Sequence, residues 1–357
     1  SARLSVGAGP SFWSLPSSWS PALVPTSCDI VTIQAGHTMI VDITTATAST
    51  TTIAGTLSFS RVSNSSFTMV AGSMTVVAGG TLDMGTEASP IPASVYAHLI
   101  LARGGTAAQY GLTVSNGGNF SVRGATKTPY GFATQSITGA KTSLTISASS
   151  ATGWANGDRI SIVPAGVATY GPAATDERTI SISGTDPLTL SWSGALTDDR
   201  ALTSTTPIIV GNLTRNVLIR SSGTVVVNPN GTAAYFSNLA QYTTSFLLRY
   251  GEVAYLADDG VDINGLTFGT SARGSISSST IRHSARGLWL NGSSGSTIAY
   301  NNLWGATAAG LYFTASPDND IIGNQIFGSN EGISQNAVSG SDRNLILGNY
   351  SHSHTYA

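Results

Sequence analysis

The chain has 357 residues, with Lys+Arg 16 against Asp+Glu 18 and a net charge of −2. Charged residues make up 10% of it, against roughly 25% in an ordinary soluble protein, so it lacks the basic surface that would neutralise a run of phosphates, and nucleic acid is not an expected partner. Hydrophobic residues reach 41%, but Ser, Thr and Gly interrupt them well before the ~18 apolar residues of a membrane-spanning helix.

From the N-terminus onward the chain reads as short alternating runs of β-branched residues, at 30–33, 39–43, 74–77, 144–146, 159–163 and 217–219. Gly, Asn, Ser or Asp follows each run, the punctuation of turns, and windows with helical spacing are nearly absent. The predicted class is all-β. Repeats select the architecture. Gly55-Thr56-Leu57 returns as Gly80-Thr81-Leu82. Gly287-Leu288-Trp289-Leu290 is echoed at Gly310-Leu311-Tyr312-Phe313 and at Gly332-Ile333-Ser334. Asn301, Asn324 and Asn349 recur in phase with that series, at a period of about 23 residues. A unit of this length with two or three strands cannot bury its own apolar face, whereas stacking on the next unit buries it and pairs the strand edges. This is the signature of a parallel β-helix. The recurrent asparagines are expected to form a ladder at a turn that tolerates left-handed backbone.

Cys28 is the single cysteine, and Lys127 and Lys141 are the only lysines. With no internal disulfide available and Thr and Ser abundant, the chain fits a secreted prokaryotic surface protein. Its last coil reads as uncapped, so the expectation is that further coils or another subunit cover that end.

Several segments follow one another in a recognisable order. They are Trp19, Pro21, the run 28–33, Gly36-His37-Thr38-Met39, Gly55-Thr56-Leu57-Ser58-Phe59 and Gly79-Gly80-Thr81-Leu82-Asp83-Met84-Gly85. Together they resemble the eight-glycine (G8) domain of cell-surface hyaluronidases, polyductin-like proteins and many bacterial surface proteins. Trp154-Ala155-Asn156-Gly157-Asp158-Arg159-Ile160 is similar to that family's W-x-x-G-D-x-I strand, and the segments 177–180 and 212–217 resemble those that lead into its right-handed β-helix. The resemblance implies a G8-like domain over 1–165, a β-rich connection over 166–210 and right-handed coils over 211–357, continuous with the N-terminal part. In physical terms Gly36, Gly55, Gly80, Gly85 and Gly157 are expected at corners with positive φ, Trp154 in a core, and Asp158 capping a turn.

Candidate chemistry is sparse. Where the animal hyaluronidases of this family carry histidines, this chain reads Asp258-Asp259-Gly260-Val261-Asp262, and the later rung reads Arg286-Gly287-Leu288-Trp289-Leu290-Asn291. Neither segment contains a histidine to donate a proton. Asp258, Asp259 and Asp262, with His283 and Arg286 on the next rung, are the candidate catalytic residues, as paired carboxylates for a polysaccharide hydrolase or lyase. Glu252, Asp258, Asp259 and Asp262 are candidate calcium ligands, although no cofactor is required. His283, Arg282 and Arg286 together suggest a polyanion groove. Asp318-Asn319-Asp320 reads as a turn, and His352 and His354 share a strand face without a third ligand. Exposed aromatics such as Tyr300, Trp304 and Tyr312 are candidate sugar platforms. The leading expectation is an extracellular structural or adhesive solenoid that self-associates. A polysaccharide-active enzyme and a glycan-binding module are the alternatives.

Overall fold

The computed structural model describes residues 1–163, 176–203, 207–226, 231–256, 264–336 and 340–355. Three long sheets, of eleven, ten and nine strands, share the chain so that from the second coil onward each coil contributes one strand to each sheet. Neighbouring coils pair in parallel, as in Met39↔Leu57, Leu57↔Leu82, Leu82↔Phe120 and Phe120↔Phe246. The chain is a parallel β-helix. Its only helical pieces among the described residues are two 3-10 turns, Pro16–Ser18 and Ala148–Ala151.

Alternation in the sequence becomes inside and outside. Strands Thr38–Val41, Thr56–Phe59 and Thr81–Met84 each bury every second residue, and each buried aliphatic side chain contributes about 2 kcal/mol by leaving water. The inward columns merge into one core that runs from Trp13 to Ile326. At its N-terminal end Trp13 and Trp19 are buried edge to face, with ring centroids 4.8 Å apart. Trp19 donates its indole N–H to the Trp13 carbonyl at 3.0 Å. The strand Trp19–Ser20 runs antiparallel to Ala2–Ser5 and closes the first sheet on that side.

The coil glycines divide into two kinds. Gly36, Gly85 and Gly157 have positive φ, as expected. Gly55 and Gly80 do not, which corrects that expectation: a Cβ at Gly55 would stand 2.2 Å from the Gln34 carbonyl oxygen, and one at Gly80 2.0 Å from that of Ile53. These two permit the close approach of one coil to the next.

Strand pairing changes after Arg123 and changes back at Val217. Strand Ala97–Leu101 pairs directly with Val217–Ser221, so the coils continue across the intervening chain. That chain folds as two small antiparallel sheets. One holds Tyr130–Phe132, Ile209–Asn212, Arg159–Ile162 and Asp176–Thr179; the other holds Ser143–Ile146, Leu188–Ser191 and Ser181–Ser183. The insert has its own core, which includes Leu144, Ile160, Leu190, Trp192 and Trp154. The W-x-x-G-D segment lies here. Trp154 donates to the Thr128 carbonyl at 2.8 Å, and Asp158 closes the turn by accepting the Ala155 N–H at 2.9 Å.

Candidate functional site

The insert lies over the third sheet of the solenoid. Tyr130 donates its hydroxyl to the Gly323 carbonyl at 3.0 Å, and Asn302 donates to the carbonyls of Pro129 and Asn212 at 2.6 and 2.9 Å. Trp304 and Phe327 from the solenoid form a small core with Val163, Ile209 and Leu213 from the insert. Beneath it, Glu252 accepts from the Arg282 guanidinium at 2.7 Å and from the Arg215 backbone N–H at 3.3 Å. Arg215 is fully enclosed: burial pushes its guanidinium down to about 10, against the opposing pull of Glu252 and Asp158. Lys127 donates to both oxygens of Asp158 at 2.7 Å.

At the edge of this interface Glu177 gathers three donors. His283 Nε2 lies 2.9 Å from one carboxylate oxygen, which also accepts the Trp304 indole N–H; Arg159 pairs with the other oxygen. Burial pushes the Glu177 carboxyl up, but hydrogen bonds from His283 and Trp304 and the charge of Arg159 outweigh it and hold it at about 2. The carboxylate therefore remains ionised and fixes the imidazole with Nε2–H directed at it. The His283 ring stacks on Tyr255 of the preceding coil, 5.4 Å away and inclined by 19°. Gly305 covers it from the following coil, where a Cβ would meet Nδ1 at 2.8 Å. Tyr255, His283 and Gly305 all have positive φ at the same corner of successive coils. They open a cleft of about 230 Å³, completed by Thr224, Val226 and Thr307.

Of the residues singled out in the sequence, His283 reaches a shaped site. Asp258, Asp259 and Asp262 lie outside the described residues. Glu252 is committed to Arg282 and Arg215. Arg282 also donates to the Tyr255 hydroxyl at 3.2 Å, and the Arg286 guanidinium lies over the Trp289 and Tyr312 rings at 4.8 and 4.0 Å. The suggested polyanion groove is therefore not assembled from these three cations. Among the described residues no group of three or more His, Cys, Asp or Glu is placed to hold a metal. His352 stacks on Phe327, and burial, with the neighbouring His354, pushes it down to about 3. Trp304 is buried, only 6% exposed, and so is no sugar platform; Tyr300 is half exposed. Asp318 turns at positive φ and pairs with Arg343. Glu177 was missed as a partner because it lies far from His283 in the chain. The scarcity of acidic residues was the only sequence signal that could have found it.

Residues 18–132 match the G8 domain. The resemblance read from the sequence holds for the N-terminal coils. Residues 195–355 match the family of the periplasmic copper-binding protein NosD. The G8 match ends with the first insert strand, at Phe132, and the second match spans the C-terminal coils and the last insert strand. No curated protein is similar to the whole chain at a significant level. Among solved structures the chain is similar to the tailspike gp61 of Pseudomonas phage phi297, with 10% identity, a TM-score of 0.24, 89% of this chain covered and 41% of that one. It is also similar to the Gp54 tailspike of Acinetobacter baumannii bacteriophage AP22, solved with a capsular saccharide, with 10% identity, a TM-score of 0.23, 79% of this chain covered and 52% of that one. The chain thus spans about half or less of the length of those tailspikes. No helix among the described residues is long and apolar enough to cross a membrane.

Proposed function

We propose that the chain is an extracellular structural or adhesive module, a β-solenoid that associates side by side in a surface fibre or a large adhesin. The observation that carries this reading is the outward face of the eleven-stranded sheet. Leu4, Thr32, Thr52, Thr75 and Thr113 stand in register on successive strands, one uncharged column along the N-terminal coils. Part of the scarce charge is spent inside instead. Asp29 pairs with Arg3, Asp158 with Lys127, Asp176 with Arg178 and Arg200, and Glu252 with Arg282. A flat hydroxyl-and-methyl face with no like charges to repel a neighbour favours lateral contact. The match to a periplasmic family supports a location outside the cytoplasm.

Light scattering and electron microscopy of the purified chain over a range of concentrations test the reading. The expected result is bundles or filaments that the double variant Thr52→Lys, Thr75→Lys disperses. A monodisperse monomer at every concentration, or assembly that the double variant leaves unchanged, refutes it.

A further inference from the structure

We infer that the cleft at His283 binds one uncharged pyranose unit of a glycan, with His283 Nδ1 as the acceptor for a ring hydroxyl. Nε2 is committed to Glu177, and Nδ1 has no hydrogen-bond partner among the described residues. A nitrogen held in one tautomer by an ionised carboxylate on its far side is a directed acceptor. The rest of the lining selects the ligand class. Thr224 and Thr307 supply hydroxyls, Val226 and the Tyr255 ring supply apolar surface, and among the described residues no side chain that is always charged lines the cleft. The two guanidinium groups that lie over the Tyr255 ring are both engaged, Arg282 by Glu252 and the Tyr255 hydroxyl and Arg220 by the Ser221 carbonyl. A carboxylate or phosphate ligand would find no unengaged cation in the lining formed by the described residues. A purely apolar ligand would leave Nδ1 and the threonine hydroxyls unpaired. A pyranose offers both an apolar C–H face and hydroxyl donors, and the cleft volume of about 230 Å³ suits a single ring. Glu177 is here a positioning residue: it acts on the ligand only through the imidazole.

This inference is independent of lateral association, because it concerns a corner of the coil and not the threonine face. The test uses the full chain labelled with ¹⁵N and titrated with methyl glycosides of glucose, galactose, mannose and N-acetylglucosamine, with methyl glucuronide as the charged control. Long-range ¹H–¹⁵N spectra report the tautomer of each histidine ring. The expected result is His283 as the Nε2–H tautomer, with its Nδ1 signal moved by at least one neutral glycoside and unmoved by the glucuronide. His283→Gln is expected to weaken that binding about tenfold, the equivalent of one lost hydrogen bond. Glu177→Gln is expected to mix the tautomers and weaken binding less. Thr307→Trp, at an exposed position, is expected to fill the cleft and abolish binding while the tautomer stays fixed, which separates a blocked site from a misfolded one. The inference is overturned if no neutral glycoside moves the His283 signal, if the glucuronide binds as well as the neutral sugars, or if the Thr307→Trp chain binds like the parent.

Discussion

At the scale of the residue, this molecule uses its few charges as fixings. Glu177 joins the insert to the solenoid by accepting from His283 and Trp304, and it is mostly shielded from water. Replacing it with Gln removes the charge that the Arg159 guanidinium, the His283 imidazole N–H and an indole N–H were placed around. The expected cost is about 2 kcal/mol in urea denaturation. Because its folded-state value, about 2, lies below its ordinary 4.5, the stability it supplies is fully present above that ordinary value. It is lost as pH falls toward the folded value. Acid titration followed by tryptophan fluorescence should therefore show loosening around Trp304 in that interval, and the Gln variant should lack this phase. Glycines give a second test at this scale. Gly80→Ala places a methyl group against the Ile53 carbonyl and should cost about 3 kcal/mol. Gly36→Ala meets open space and should cost only about 1 kcal/mol for its positive φ.

At the scale of the element, the asparagine ladder shows how repeats become structure. The Asn301 backbone N–H and side-chain amide both donate to the Asn324 side-chain oxygen, at 2.9 and 3.0 Å. Asn324 donates in the same way to Asn349, at 2.8 and 2.9 Å. The Asn324 amide also donates to the Ile298 carbonyl of the coil before it. The ladder was legible from the spacing, but its backbone was not. The left-handed positions are Tyr300, Gly323 and Gly348, each one residue ahead of its asparagine. Geometry, not residue type, puts the strained position there, since even a tyrosine adopts it when the next side chain locks the turn. Asn324→Ala removes bonds to both neighbouring coils and should cost about 3 kcal/mol, read from the urea midpoint. Asn324→Asp keeps the acceptor for Asn301, and its protonated acid can still donate once; ionised, its second oxygen would face the Ile298 and Asn349 oxygens, so it should cost less than Ala only below the carboxyl pKa of the variant.

At the scale of the whole molecule, three uninterrupted sheets with a covered third face leave two faces to solvent. Charge-poor surfaces associate through contact and not through long-range fields. The assembly expected under the proposed role should therefore change little in apparent mass between low and high salt, whereas a charge-driven assembly would dissolve as screening increases. Light scattering across a salt series decides between them.

The all-β class, the coil period, the ladder and the G8 region could all be read from the order of residues, because each is a local pattern repeated at a fixed interval and stacking turns interval into contact. The insert could not be read this way. Its strands alternate just as the coil strands do, and nothing in alternation says which partner a strand will take. Only the tertiary structure pairs Ala97–Leu101 with Val217–Ser221 across it, and only the packing of the insert on the third sheet brings Glu177 to His283. The sequence determined the solenoid, since its information lies between near neighbours one coil apart. The carboxylate that orients His283 depended on a contact between distant segments, which the packing of insert on coil alone decides.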